Sequence, residues 1–202
     1  MSVDGTGSYG RAVYVCRSNP FVRCLAVFCL AVAALVAVPP AGARPTATFV
    51  SKLYGYSIVV PGANSRWMTS FATQRWVGTS IPGIGDPELD TFSELKTGRT
   101  YLVAAQPTGS SLKAWTTFVI AARPSVCVRP TSPRRATLGG EPAELVTWSC
   151  TDGYRVMVIT ALHAGKGYFM LQASPVFGSR PLPAASDLPA LNAARQSFRF
   201  SR

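Results

Sequence analysis

Leu145-Val-Thr-Trp-Ser-Cys150, Tyr154-Arg-Val-Met-Val-Ile-Thr-Ala-Leu-His163 and Tyr168-Phe-Met-Leu-Gln-Ala173 stand one behind another. Only Thr151-Asp-Gly153 and Ala164-Gly-Lys-Gly167 separate them. Each run is rich in β-branched and aromatic residues, and each gap holds turn residues. Asp-Gly between two apolar runs predicts a hairpin whose two central residues both take positive φ. The three runs together predict an antiparallel meander.

Working outward, Thr100-Tyr-Leu-Val-Ala-Ala-Gln106 predicts a further strand. Ser110 is placed to cap a helix in which Leu112, Trp115, Val119 and Ala122 recur at helical spacing before Pro124 stops it. Trp115 reads as the core anchor of that helix. Upstream, Leu53–Val60 predicts a strand ended by Pro61-Gly62, and Trp67–Val77 a strand or hairpin. Thr91 and Glu94 have capping-box spacing, which predicts a short helix limited by Gly98. At the far end, Ser186 is placed to cap a helix with Leu188, Leu191, Ala194 or Arg195, and Phe198 on one face, followed by a basic tail from Arg199. There is no internal repeat. Two helices against one mostly antiparallel sheet predict an α+β layered domain over residues 51–202, with 44–50 as a linker.

The other end has the composition of an export signal. Arg11, Arg17 and Arg23 precede the uncharged apolar run Leu25–Val38, then Pro39-Pro40 and Ala41-Gly42-Ala43. A basic segment, a short apolar segment and small residues before the junction are what signal peptidase requires. Residues 1–43 are therefore expected to be a signal peptide cut between Ala43 and Arg44. An uncleaved anchor is the rival reading, but a span needs roughly 20 apolar residues and this run is shorter. Contact with the membrane is expected only transiently, through this leader.

Cleavage would remove Cys16, Cys24 and Cys29 and leave Cys127 and Cys150. An even pair in an exported domain predicts one disulfide, worth about 3 kcal/mol in the chain-entropy model. Two free thiols, as a redox or metal pair, are the alternative. Of the 20 Lys and Arg three precede residue 44, and of the nine acids one does, so 17 against eight leave the domain at +9. Such a surface attracts anionic partners. A nucleic-acid binder would interleave aromatics with basic clusters, whereas the densest cluster here is Arg129 with Arg134 and Arg135 in a Pro-rich loop.

Catalytic patterns are thin. A Ser-His-acid triad would have to use His163, the only histidine, and no Gly-x-Ser-x-Gly elbow is present. Asp86, Glu88, Asp90 and Glu94 crowd one segment, and Glu141 and Glu144 flank a turn, which reads as solvated loops more readily than as a glycosidase pair. Nothing suggests a phosphate loop or a zinc site, so no cofactor, metal or catalytic residue is assigned. The candidate contact residues are Trp67 and Trp76, if a hairpin exposes them, with Arg134 and Arg135; Tyr54 and Tyr56 are the other aromatics of that region.

Several local motifs recur together in one family. Tyr54-Gly-Tyr-Ser-Ile58 with Pro61 and Trp67, Ser111-Leu112 with Trp115, Leu138-Gly-Gly-Glu-Pro-Ala143, and Ser197-Phe198 with Phe200 resemble the PsbP-like superfamily, in its secreted actinobacterial form, over residues 51–200. The resemblance implies an α/β/α sandwich with a central, mostly antiparallel sheet. It implies a protein that binds and stabilises partners without catalysis, and it carries over no catalytic residue. The Cys127–Cys150 pair is not a general mark of that superfamily. The reading that follows is an exported, non-catalytic binding or accessory protein of the cell envelope. Its expected partner is an envelope protein or an anionic wall or lipid polymer. The alternatives are a secreted hydrolase and a structural envelope domain held by an uncleaved anchor.

Overall fold

The predicted meander forms, and its last two strands lie in the middle of an eight-stranded sheet. The computed structural model describes residues 46–61, 67–179 and 181–201, all within one compact unit. The chain order is β1 (Thr46–Ser51), β2 (Tyr56–Pro61), β3 (Trp67–Ser70), β4 (Asp90–Glu94), β5 (Thr100–Pro107), α1 (Leu112–Ala121), β6 (Cys127–Val128), β7 (Arg134–Leu138), β8 (Glu141–Cys150), β9 (Tyr154–His163), β10 (Lys166–Pro175), α2 (Asp187–Ser197) and β11 (Arg199–Phe200). The large sheet runs β3-β4-β5-β10-β9-β8-β6, with β7 also paired to β8; β1, β2 and β11 form a second, small sheet. Every strand pair recorded is antiparallel.

The near-continuous apolar text of β9 and β10 reflects cover on both faces of the sheet. On one face lies α1. Thr116 meets Thr160 of β9 at 2.7 Å, and the Trp115 indole donates to the Tyr168 carbonyl at 2.8 Å. The ring lies so close to β10 that a Cβ on Gly167 would sit 2.4 Å from it. Trp76, from the segment after β3, completes this layer by packing edge-on against Trp115 and Phe169. On the opposite face lie α2 and the small sheet. Phe198 stacks on Tyr56 at 4.7 Å, and Arg155 of β9 ties down the start of α2 by donating to Asp187 at 2.8 Å. The α/β/α layering expected from the sequence is thus the architecture of the chain.

Local readings fare unevenly. Thr46–Ser51, overlapping the stretch 44–50 expected to be a linker, is a strand, because it pairs along the whole of β2. Residues 90–94 form β4 and not a capped helix: pairing to β3 and β5 on both sides overrides the weak local signal of Thr91 and Glu94. Arg134 and Arg135 lie in β7, not in a loop. The Gly139-Gly140 turn, with φ of 60° and 92°, folds that segment back on β8. Ser111, one residue later than expected, caps α1 by accepting from the Ala114 amide. Ser186 precedes α2, but its hydroxyl donates to Pro183 and caps nothing. The tail after α2 is not free, since Arg199 and Phe200 pair with β2.

The two meander turns exchange the roles expected of them. At Thr151-Asp-Gly153 only the glycine has positive φ, which makes a three-residue loop closed by Gly153 donating to the Cys150 carbonyl. The two-residue turn with both φ positive is instead Ala164-Gly165, at 47° and 71°.

Candidate functional site

The structure sorts the sequence candidates by burial. Trp76 is 1% exposed and belongs to the core, which removes it from the contact residues. Its burial follows from a good hydrogen-bond fit, the indole donating to the Ser80 carbonyl at 2.7 Å, and from the ring cluster around it. Trp67 is half-buried on β3 and stacks on Tyr101. Cys127 and Cys150 are joined in a disulfide between direct cross-strand partners of β6 and β8. The Ala43–Arg44 junction and the leader lie outside the described residues.

His163 does not meet a nucleophile among the described residues. Its Nδ1 lies 2.9 Å from Glu141 Oε1, and its ring stacks on Phe200 at 4.3 Å. Three of the other acids have separate structural partners: Asp90 with Tyr56, Glu94 with Thr97 and Arg99, and Asp86 with the Glu88 amide. Among the described residues, no three His, Cys, Asp or Glu side chains gather into a metal-binding group. Also among them, no helix is long and apolar enough to cross a membrane.

What does assemble is a run of arginines beside α2. One cleft of about 310 Å³ is bordered by Arg129, Arg134 and Arg155, with Thr131, Ser149 and Leu188 between them. A second, of about 240 Å³, is bordered by Arg134, Arg135 and Arg195 with Asn192. Arg134 belongs to both, so the two form one groove between β7 and α2. Asp187 is the one carboxylate bordering the first cleft, and it already serves Arg155 at 2.8 Å. Arg195 is held by Thr137 and Asn192. Arg129, Arg134 and Arg135 are exposed and make no ion pair with any described residue. Arg129 also sits at φ 55° immediately before Pro130, a backbone region that non-glycine residues rarely adopt.

The groove is anchored on a polar layer beneath it. Gln172 of β10 donates to the Asp187 carbonyl at 3.1 Å, and Arg99 reaches Ser186 and Glu94. Further along the same face are the buried tyrosines. Burial pushes Tyr54 up to about 12, partly offset by the hydrogen bond from the Trp76 amide. Burial, then the adjacent Asp90 carboxylate, holds Tyr56 well above the usual phenol value. Tyr101 and Tyr168 are likewise raised by burial. All four are neutral at ordinary pH, and Tyr54, Tyr56 and Tyr168 donate hydrogen bonds that hold the layers together.

Arg155 carries no expectation from the sequence, and Arg195 only that of sharing a helix face with Leu191 as the alternative to Ala194. The first had a legible signal: a lone arginine inside the apolar run of β9 must find a partner on one face of the sheet. The second lies four residues after Leu191, beside the buried face of α2, and nothing local distinguishes it from a solvated arginine.

No protein-family model matches the chain, and no curated protein sequence matches it. Among solved structures, the chain is similar to the solution structure of cyanobacterial PsbP (CyanoP) from Synechocystis sp. PCC 6803. Identity is 11% and the TM-score 0.49, over 80% of this chain and 95% of that one. It is also similar to a crystal structure from Bacteroides thetaiotaomicron VPI-5482, at 8% identity and a TM-score of 0.48, over 77% of this chain and 48% of that one. Likeness at this level concerns the path of the chain and says nothing of activity or partner.

Proposed function

We propose that this chain is an exported, non-catalytic binding protein of the cell envelope, a PsbP-like accessory protein of the secreted actinobacterial kind. It holds an anionic wall or lipid polymer along the groove beside α2. The observation that carries this reading is the set of exposed arginines, Arg129, Arg134 and Arg135, without an ion-pair partner among the described residues and bordering the same two clefts as Arg155 and Arg195. Cations arranged along one cleft attract an extended polyanion more strongly than the same charges scattered over a surface. Export is supported by the disulfide, a bond that persists in oxidising compartments, and by the leader composition.

The test is co-sedimentation of the secreted chain with anionic vesicles and with a soluble polyphosphodiester, at 50 and 300 mM salt. Each arginine near an anionic surface contributes about 1 kcal/mol, so replacing Arg134 and Arg135 by Ala together should weaken binding about thirtyfold. Binding should also fall steeply with salt. Capture that ignores both salt and the double replacement would remove the polyanion reading. Export itself requires the secreted chain to begin at Arg44, which N-terminal sequencing decides.

A further inference from the structure

The face of the large sheet away from the arginine groove carries a second feature. Between the start of β6, the end of β8, the start of β9 and the 81–84 segment lies a cavity of about 220 Å³. Leu102, Val156 and Leu171 form its floor, Ile81 and the Cys127–Cys150 disulfide its sides, and Trp148 one wall. These are apolar groups from five strands and the 81–84 segment, held by the sheet and the disulfide. For scale, an apolar cavity of about 150 Å³ is large enough to take benzene.

Trp148 supplies the second, independent observation. It is 3% exposed, yet its indole N–H has no acceptor within hydrogen-bond distance among the described residues. This contrasts with the two other buried indoles, which donate to the Ser80 and Tyr168 carbonyls. A buried donor without an acceptor is unfavourable by about 1–3 kcal/mol. An acceptor brought in by a bound molecule would recover part of that. The one charged group at the rim is Asp152, which disfavours an anion.

We infer that this cavity is a binding site for a small, uncharged, mainly apolar molecule of about one substituted ring, bearing a single hydrogen-bond acceptor that engages the Trp148 indole. The site opens on the face of the sheet opposite the arginine groove, with Trp148 and Val156 bordering both. It selects the opposite chemistry, and it does not depend on where the protein resides.

Three probes of nearly equal size separate the contributions: acetophenone with a carbonyl acceptor, ethylbenzene without one, and benzoate with a negative charge. They are titrated into the oxidised wild-type protein and followed in ¹⁵N–¹H spectra with the indole signals assigned. Acetophenone should bind saturably and move the Trp148 indole proton downfield. Ethylbenzene should bind about tenfold more weakly, the value of one recovered hydrogen bond, and benzoate more weakly again. In Trp148→Phe the advantage of acetophenone over ethylbenzene should vanish. If that variant does not fold, the wild-type comparison decides alone. No saturable shift with acetophenone, equal affinity for acetophenone and ethylbenzene, or preference for benzoate would each overturn the assignment.

Discussion

Where α1 covers the large sheet, the buried rings are Trp76, Trp115, Trp148 and Phe169. Where α2 and the small sheet cover it, they are Tyr56, Tyr101, Tyr168, Phe92 and Phe198, with Tyr54 at the margin of the layer. The first set makes a mainly apolar contact in which rings meet edge-on and two indoles find carbonyls. The second is laced with phenols, a buried carboxylate and arginines: Tyr56 donates to Asp90 at 2.7 Å, and Tyr168 donates to the Tyr54 carbonyl at 2.8 Å. One face is therefore held mostly by apolar contact and the other by contact together with fixed hydrogen bonds. The difference predicts which face each perturbation will damage, and it explains why an apolar cavity and a cationic groove occur on opposite sides of one sheet.

Alkali should separate the two faces most strongly. Below pH 10 the tyrosines are neutral in both the folded and the unfolded chain. Above it they ionise in the unfolded chain first, because burial raises Tyr54 to about 12 and Tyr56 well beyond its ordinary value. Stability is thus fully present below pH 10 and falls as pH rises from there. The urea midpoint should be level from pH 8 to 9.5 and clearly lower at pH 11.5. An unchanged midpoint at pH 11.5 would dissolve the contrast between the faces.

Next in size is Trp76→Ala, which strips the α1 face of its central ring. A loss of about 3–5 kcal/mol is expected from the transferred surface and the space left behind, read as a shift in urea midpoint. A loss below about 1 kcal/mol would mean that the 72–89 segment contributes little to this layer.

Smaller again is Asp187→Ala on the other face. It removes the acceptor for Arg155 and the negative charge at the start of α2, an expected cost of about 2 kcal/mol. That is below the range for a fully buried pair, since the Arg155 side chain is 27% exposed. Hydrogen exchange should locate the damage in α2 and spare α1. Equal loosening of both helices would show that the layers are not separately anchored.

These same differences decide what was legible in the sequence. The meander and α1 could be read because each carries its own periodicity and turn chemistry within a short span. β4 and β7 could not, because their strand character is conferred by partners that a local reading does not see; β1 likewise takes its strand character from pairing along β2. For the groove, Arg134 and Arg135 were visible as a cluster, but Arg155 and Arg195 join them only after β9 and α2 are in place. Trp76 had the same appearance in sequence as Trp67, and only packing assigns one to the interior and the other to a half-exposed strand. The cavity had no signature, since its walls are drawn from five strands and a loop, and its distinguishing feature is an indole N–H without an acceptor among the described residues.

The cross-strand disulfide has one more consequence, for quality control. Cys127 and Cys150 are direct neighbours on β6 and β8. Were β8 to shift by one position, Cys127 would face Ser149 or Thr151, and both cysteines would stay as free thiols. The same shift would turn Trp148 toward the arginines and Ser149 toward the apolar side. Closure of this one bond is thus an inspection mark: a thiol count on freshly made protein reports whether the two opposed chemistries have been sorted to their proper sides.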